Sequence, residues 1–161
     1  MSINFVYGNK SAPALNKVLC DYVSFRLTQR PHMFGPCGSL GVKRGDKILG
    51  VVVFHNWIPE HGVIEITAAA DSAAWLCKRS IREIMAICFE QHNCQQIVSR
   101  MAVDNERAVK IYDFLDFDTI ILPNMRGKGK DEQLRLLTAD RWAQHKFNKV
   151  EDHGQKDAKS S

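Results

Sequence analysis

Glu65 interrupts the apolar run Val63-Ile64-Glu65-Ile66 and shares a strand face with Thr67. A carboxylate in such a strand needs a partner or a task, because burying it unpaired is costly. Two readings stay open: an ion pair with a nearby Lys or Arg, and a group placed to take up a proton. His55, at the end of the preceding apolar run, is a second titratable candidate. Its other reading is a partly exposed, hydrogen-bonding histidine. A different chemistry is open to the stretch Asp71-Ser72-Ala73-Ala74. Small residues behind a helix-capping side chain expose backbone N–H groups, and such a turn attracts anions. Lys78 and Arg79 fall in the first two turns of the expected helix and could reinforce a phosphate site. Its plainer reading is a capped helix with an exposed basic edge.

The elements that must carry these groups follow from periodicity. Residues 4–7 form a weakly alternating first strand, and residues 14–29 a helix with Leu15, Val18, Leu19 and Tyr22 on its apolar side. Two prolines and two glycines make residues 30–39 a loop. Residues 40–43 and 47–57 read as a hairpin turning at Arg44-Gly45-Asp46. Residues 48–54 are apolar on both faces, so that strand belongs in the middle of a sheet. After a turn at residues 59–62, a strand spans 63–70. A helix then starts near Asp71 or Ser72 and ends near His92 and Asn93, with Cys77, Ile81, Ile84, Met85 and Cys88 at helical spacing. A strand at 96–103, a helix at 105–115 and strands at 118–122 and 132–137 complete the order. The resulting fold class is α/β (α+β), a mixed, mostly antiparallel twisted sheet with helices on both faces.

The chain has 161 residues, 45% of them hydrophobic and 25% charged. This is enough for one domain with a real core. We expect a single domain over residues 1–144 and a disordered polar tail over 145–161, where apolar residues become rare. No apolar run is long enough to span a bilayer, and the N-terminus lacks a signal-peptide pattern, so the expected location is the cytoplasm without a membrane partner. Five cysteines with no CxxC spacing fit reduced thiols. Cys88, His92 and Cys94 lie close in sequence, but Cys88 belongs to the apolar stripe and a fourth ligand is missing, so no metal is expected. The net charge of +4 is spread along the chain. That argues against a nucleic-acid partner, although Arg126, Lys128, Lys130 and Arg135 could make a basic loop.

One segment goes further than composition. Asn105-Glu106-Arg107-Ala108, continuing through Tyr112 to Asp116-Phe117, resembles the Asn-x-x-Ala-x-x-x-Tyr-x-x-x-Gly-Phe signature of the GNAT N-acetyltransferases. Read by itself, this segment is an amphipathic helix whose Tyr112 is a core tyrosine with a satisfied hydroxyl. The element order is similar to that family's over roughly residues 40–140, and residues 75–89 align with its acyl-CoA helix, Phe89 included. The likeness is greatest to the branch that includes ribosomal-protein acetyltransferases, and a phage origin would suit so compact a chain. The sequence departs from the family where its pyrophosphate loop, Arg/Gln-x-x-Gly-x-Gly/Ala, would have glycines. Trp75 and Cys77 stand there, and Asp116 replaces a further glycine.

The resemblance implies acetyl-CoA as co-substrate and direct attack by a primary amine of a protein or small molecule. It implies Tyr112 as the acid that protonates the departing thiolate, with Glu65 as the candidate base and His55 as its alternative. Backbone groups of Thr67, Ala68, Ala69 and Ala70 would pair with the pantetheine arm. Backbone groups of Ala74, Trp75, Leu76, Cys77 and Lys78, with the Arg79 side chain, would hold the pyrophosphate. Asn105 and Ala108 would lie on the cofactor side. Trp57 and the loop at 30–39 would line the acceptor side. A homodimer is compatible with the fold. The altered glycine positions set a second expectation beside the first, a catalytically degenerate GNAT-like binding protein, for example a phage protein acting on a host factor.

Overall fold

The computed structural model describes residues 2–31 and 33–149. In chain order the elements are β1 (Ile3–Gly8), α1 (Pro13–Thr28), β2 (Cys37–Arg44), β3 (Lys47–Ile58), β4 (Val63–Ala70), α2 (Lys78–Ala86), β5 (Gln96–Ala102), α3 (Glu106–Phe114), β6 (Asp118–Leu122), β7 (Glu132–Thr138) and α4 (Ala139–Ala143). The seven strands form one sheet in the order β1-β2-β3-β4-β5-β7-β6. Only β4 and β5 run parallel. The expected mixed, mostly antiparallel sheet is present.

β3 shows why helices occupy both faces. Val51 and Val53 pack with Leu19, Cys20 and Val23 of α1. Val52 and Phe54, between them, face the larger core of Ile64, Ile81, Ile84 and Ile97. Each of the three valines is at most 1% exposed. Burying a side chain of this size contributes about 1.5–3 kcal/mol, so this central strand anchors both layers. Among the described residues, no helix is long and apolar enough to cross a membrane.

Three boundaries differ from the sequence expectation. β2 begins at Cys37, inside the stretch read as loop, because Cys37, Gly38 and Ser39 continue the ladder opposite His55, Phe54 and Val53. The helix expected from Ser72 starts instead at Lys78. Ser72 caps only a short 3-10 turn, Ala73–Trp75, and the chain is extended at Leu76. The cause is Trp75, which is 6% exposed and lies against Gly50 of β3. A Cβ on Gly50 would come within 2.6 Å of the indole, so only glycine leaves room for that ring. The segment Ile87–Gln91 then widens into a π-helical turn that ends at His92, as expected. Asn93 follows at φ 52°.

The packed chain also runs past residue 144. His145 is 1% exposed, and its Nε2 meets the Phe114 carbonyl at 3.1 Å. The Phe147 N–H donates to its Nδ1 at 3.1 Å, which fixes the proton on Nε2. Phe147 packs against the larger core. The remainder of the expected tail, residues 150–161, lies outside the described residues.

Candidate active site

β4 and β5 pair only at Val63↔Gln96, Ile64↔Ile97 and Glu65↔Val98. Beyond that point β4 stays with β3 as far as Ala70, and β5 stays with β7 as far as Ala102. Each strand is held by its outer neighbour, so the two part on their inner sides. Backbone groups of Thr67, Ala68, Ala69 and Ala70 that would have met β5 face the opening. A cleft of about 770 Å³ occupies it, with residues 65–71 on one wall and residues 99–102 on another. Met33, Phe34, Asn105, Ala108 and Tyr112 also line it. Trp57 is absent from that lining and packs tilted against His92, with ring centroids 5.2 Å apart.

On the α1 side of the sheet, the two candidate bases are neighbours. His55 and Glu65 face each other across the β3–β4 ladder. Nε2 of His55 lies 3.2 Å from Glu65 Oε2 and 2.7 Å from Thr67 Oγ1. The ring of Phe34 covers the imidazole at 4.9 Å. His55 is 6% exposed, and burial lowers its pKa to about 4. Burial likewise raises Glu65, opposed by the positive charge of Arg100. Both shifts favour the uncharged forms, because desolvation penalises charge. A neutral imidazole hydrogen-bonds through Nε2 to Thr67 Oγ1, with the Glu65 carboxylate close to the same nitrogen and bonded to Asn56.

Tyr112 stands on the opposite side. Its hydroxyl is 2.7 Å from Ser99 Oγ, which in turn donates to the Ile66 carbonyl at 3.0 Å. A serine hydroxyl has one proton. With that proton on Ile66, Tyr112 is the donor to Ser99. α3 presents Tyr112 because Asn105 caps its start, accepting from the Ala108 N–H at 3.2 Å. After the helix, Asp116 takes φ 65° and turns Phe117 back edge-on to Tyr112, with centroids 4.8 Å apart. Aspartate thus fills the left-handed position where the signature has glycine. Burial raises the Tyr112 pKa.

The turn after β4 is organised differently from the sequence expectation. The Ala74 N–H donates to Ser72 Oγ at 3.2 Å and the Cys77 N–H to Ser80 Oγ at 2.8 Å. The Trp75 and Leu76 N–H groups donate to the Ser72 and Ala73 carbonyls. Ser80 Oγ also donates to the Trp75 carbonyl at 2.8 Å. Four of the five N–H groups expected to meet a pyrophosphate, those of Ala74, Trp75, Leu76 and Cys77, are thus paired within the turn. Arg79 points away, donating to the Ile3 carbonyl and stacking on Phe5, and the Lys78 ammonium sits 5.3 Å from the Phe147 ring centroid. Lys78 and Arg79 therefore have other partners than the turn. Sequence periodicity could not show this, since Ser80 reads as an ordinary helical serine.

Sequence reasoning also missed Ser99 and a cluster on the cleft wall. Glu132, 4% exposed, accepts from Arg100 at 2.8 Å through Oε2 and from Arg126 at 3.2 Å through Oε1. Their strand alternation hides them, because only the register of β5 on β7 brings Arg100 and Glu132 together. Arg135 is not part of a basic surface. It is 3% exposed, bonded to Gln133 Oε1 and Asp113 Oδ1, each at 2.6 Å. Cys88 and Cys94 are buried. Among the described residues no group of three or more His, Cys, Asp or Glu side chains is arranged to hold a metal ion.

No family model and no curated protein matches the sequence. Solved structures do match in shape. A dodecameric spermidine N-acetyltransferase from Vibrio cholerae superposes with a TM-score of 0.67 at 12% identity, over 88% of this chain and 96% of that one. An N-acetyltransferase from Staphylococcus aureus Mu50 gives 0.64 at 14% identity, over 86% and 99%. The match to a third structure, described as an acetyltransferase, is shorter. It has a TM-score of 0.58 at 16% identity and spans 67% of this chain but 60% of that one. The order of the strands, the parallel β4–β5 pair and these superpositions together give the chain the GNAT acyl-CoA N-acyltransferase fold.

Proposed function

We propose that the protein is an acetyl-CoA-dependent N-acetyltransferase that moves an acetyl group to a primary amine of a protein or small molecule in the cytoplasm. The parting of β4 and β5 carries this reading, with one half-buried acid–base group on each side of the gap. A strand edge with unpaired backbone groups suits an extended amide-containing arm such as pantetheine. The amine nitrogen attacks the thioester carbonyl, and the carbon–sulfur bond breaks. The amine proton passes to Glu65, which lies beside His55 and is made by burial a stronger base than a free carboxylate. The departing thiolate takes a proton from Tyr112, and Ser99 keeps that hydroxyl at the gap. Asn105 and Ala108 lie on the cofactor side. The acceptor enters over Phe34, His55 and Arg100.

A second reading is favoured by one observation, the internally paired N–H groups of Ala74, Trp75, Leu76 and Cys77. In that reading the chain is a GNAT-fold binding protein, for example of phage origin and directed at a host factor, with no turnover. A place in the ribosomal-protein branch and a homodimer are further readings, and a dodecamer is printed for one structural neighbour. Acetyl-CoA titration combined with free-thiol release over a panel of amines and N-terminal peptides separates the first two. Binding with amine-dependent thiol release supports the enzyme. Binding of neither acetyl-CoA nor CoA supports the degenerate protein.

A further inference from the structure

Cys20 and Cys37 belong to different elements and meet outside the acid–base groups. Cys20 sits on the inner side of α1 and is fully buried, while Cys37 opens β2 and is half-buried. Their sulfurs are 3.3 Å apart, in contact, though the residues are 17 positions apart in sequence. Asn16 fixes the junction, donating from Nδ2 to the Cys37 carbonyl at 3.0 Å and accepting from Ser39 Oγ at 2.6 Å. The contact is therefore held by the α1–β2 packing and not by a mobile side chain alone. Cys37 also stands opposite His55 in the β2–β3 register. The chain between the two sulfurs carries Phe34, the ring that covers His55.

We propose that Cys20 and Cys37 are an oxidisable dithiol, closed by a hydroperoxide to an intramolecular disulfide that fixes the Phe34 loop. Cys37, the more exposed sulfur, attacks the peroxide O–O bond. It becomes a sulfenic acid and releases water, or an alcohol from an organic peroxide. The Cys20 sulfur then attacks the Cys37 sulfur, forming the S–S bond and expelling a second water. Two thiol protons and two electrons leave the pair, and the peroxide is reduced. Burial pushes the Cys20 thiol up to about 12, with the Cys37 contact adding to it. The attacking Cys20 sulfur must be a thiolate, so the second step speeds up as pH rises.

The test is peroxide treatment of the whole protein, followed by alkylation and tryptic mapping without reductant. The expected product links the peptide of residues 18–26 to that of residues 27–43, with an intact mass two units lower, reversed by dithiothreitol. Hydrogen exchange across residues 29–36 should slow in the oxidised form. Separate oxidation of Cys37 to sulfinic acid with Cys20 still alkylatable would overturn the proposal, as would a link to Cys77, Cys88 or Cys94, or between two chains. Unchanged exchange across 29–36 would overturn the loop-fixing part. Cys37→Ser should abolish the link, and Cys94→Ser should keep it. The wild-type mapping decides the matter even where a cysteine variant fails to fold. Acetyl transfer is not read in any arm.

Discussion

His55 Nε2 and Glu65 Oε2 lie 3.2 Å apart across the β3–β4 ladder. Two residues with separate sequence arguments thus come into close contact on the α1 side of the cleft, where His55 hydrogen-bonds to Thr67. Their burial makes stability depend on pH. The folded His55 titrates at about 4 against 6.5 for the free group, so between those values the unfolded chain binds more protons. Stability should fall as pH drops from about 6.5 to about 4, by at most about 3 kcal/mol. Glu65, raised by burial, acts in the opposite sense. Its contribution is full below the ordinary carboxylate value and is lost as pH rises through the folded one. Denaturant midpoints across this range should show a shallower acid loss in His55→Gln and a steeper one in Glu65→Gln. A wild-type stability maximum between pH 4.5 and 6.5 would instead show a charged pair.

Tyr112→Phe removes the hydroxyl bonded to Ser99 and little else. Turnover should drop by about 10²-fold or more, the usual scale for a lost general acid, while acetyl-CoA affinity stays nearly constant. Stability should fall by about 1 kcal/mol for the lost hydrogen bond. Steady-state kinetics with a paired ligand titration separates the effects, and unchanged turnover removes Tyr112 from the mechanism.

Gly50→Ala places a methyl 2.6 Å from the Trp75 indole, where nothing can give without moving the turn after β4. Such overpacking costs about 1–3 kcal/mol. The melting temperature should fall and tryptophan fluorescence should change. A neutral substitution would show that the indole does not sit on Gly50.

Ser80→Ala removes the buried hydroxyl that joins the Cys77 N–H to the Trp75 carbonyl. Leaving those groups unpaired costs about 1–3 kcal/mol. It also frees the Cys77 N–H beside the expected pyrophosphate position. Acetyl-CoA affinity, measured by calorimetry, should hold or rise while stability falls. A loss of both would mean that the present turn is already the binding form.

Much of the fold was legible because it rests on local pattern. The two-faced run at Val51, Val52 and Val53 placed β3 in the middle, and the Asn105 to Phe117 segment placed α3 with its left-handed exit at Asp116. The site was legible in parts. Glu65 and His55 stood out as polar groups in apolar strands, but their contact depends on the β3–β4 register across the turn at residues 59–62. Ser99, Glu132 and the partners of Arg79 depend on pairings distant in sequence, which periodicity does not carry. The helix start was misplaced for a related reason. Ser72 is a good cap, but the pull of Trp75 into the core ends its turn early.

Calorimetric titration of the whole protein with acetyl-CoA tests the central claim most directly, because it asks whether the gap between β4 and β5 accepts the co-substrate. The account predicts saturable binding at one site per chain, with a matching rise in melting temperature by mass action. No heat and no thermal shift at millimolar acetyl-CoA would contradict it.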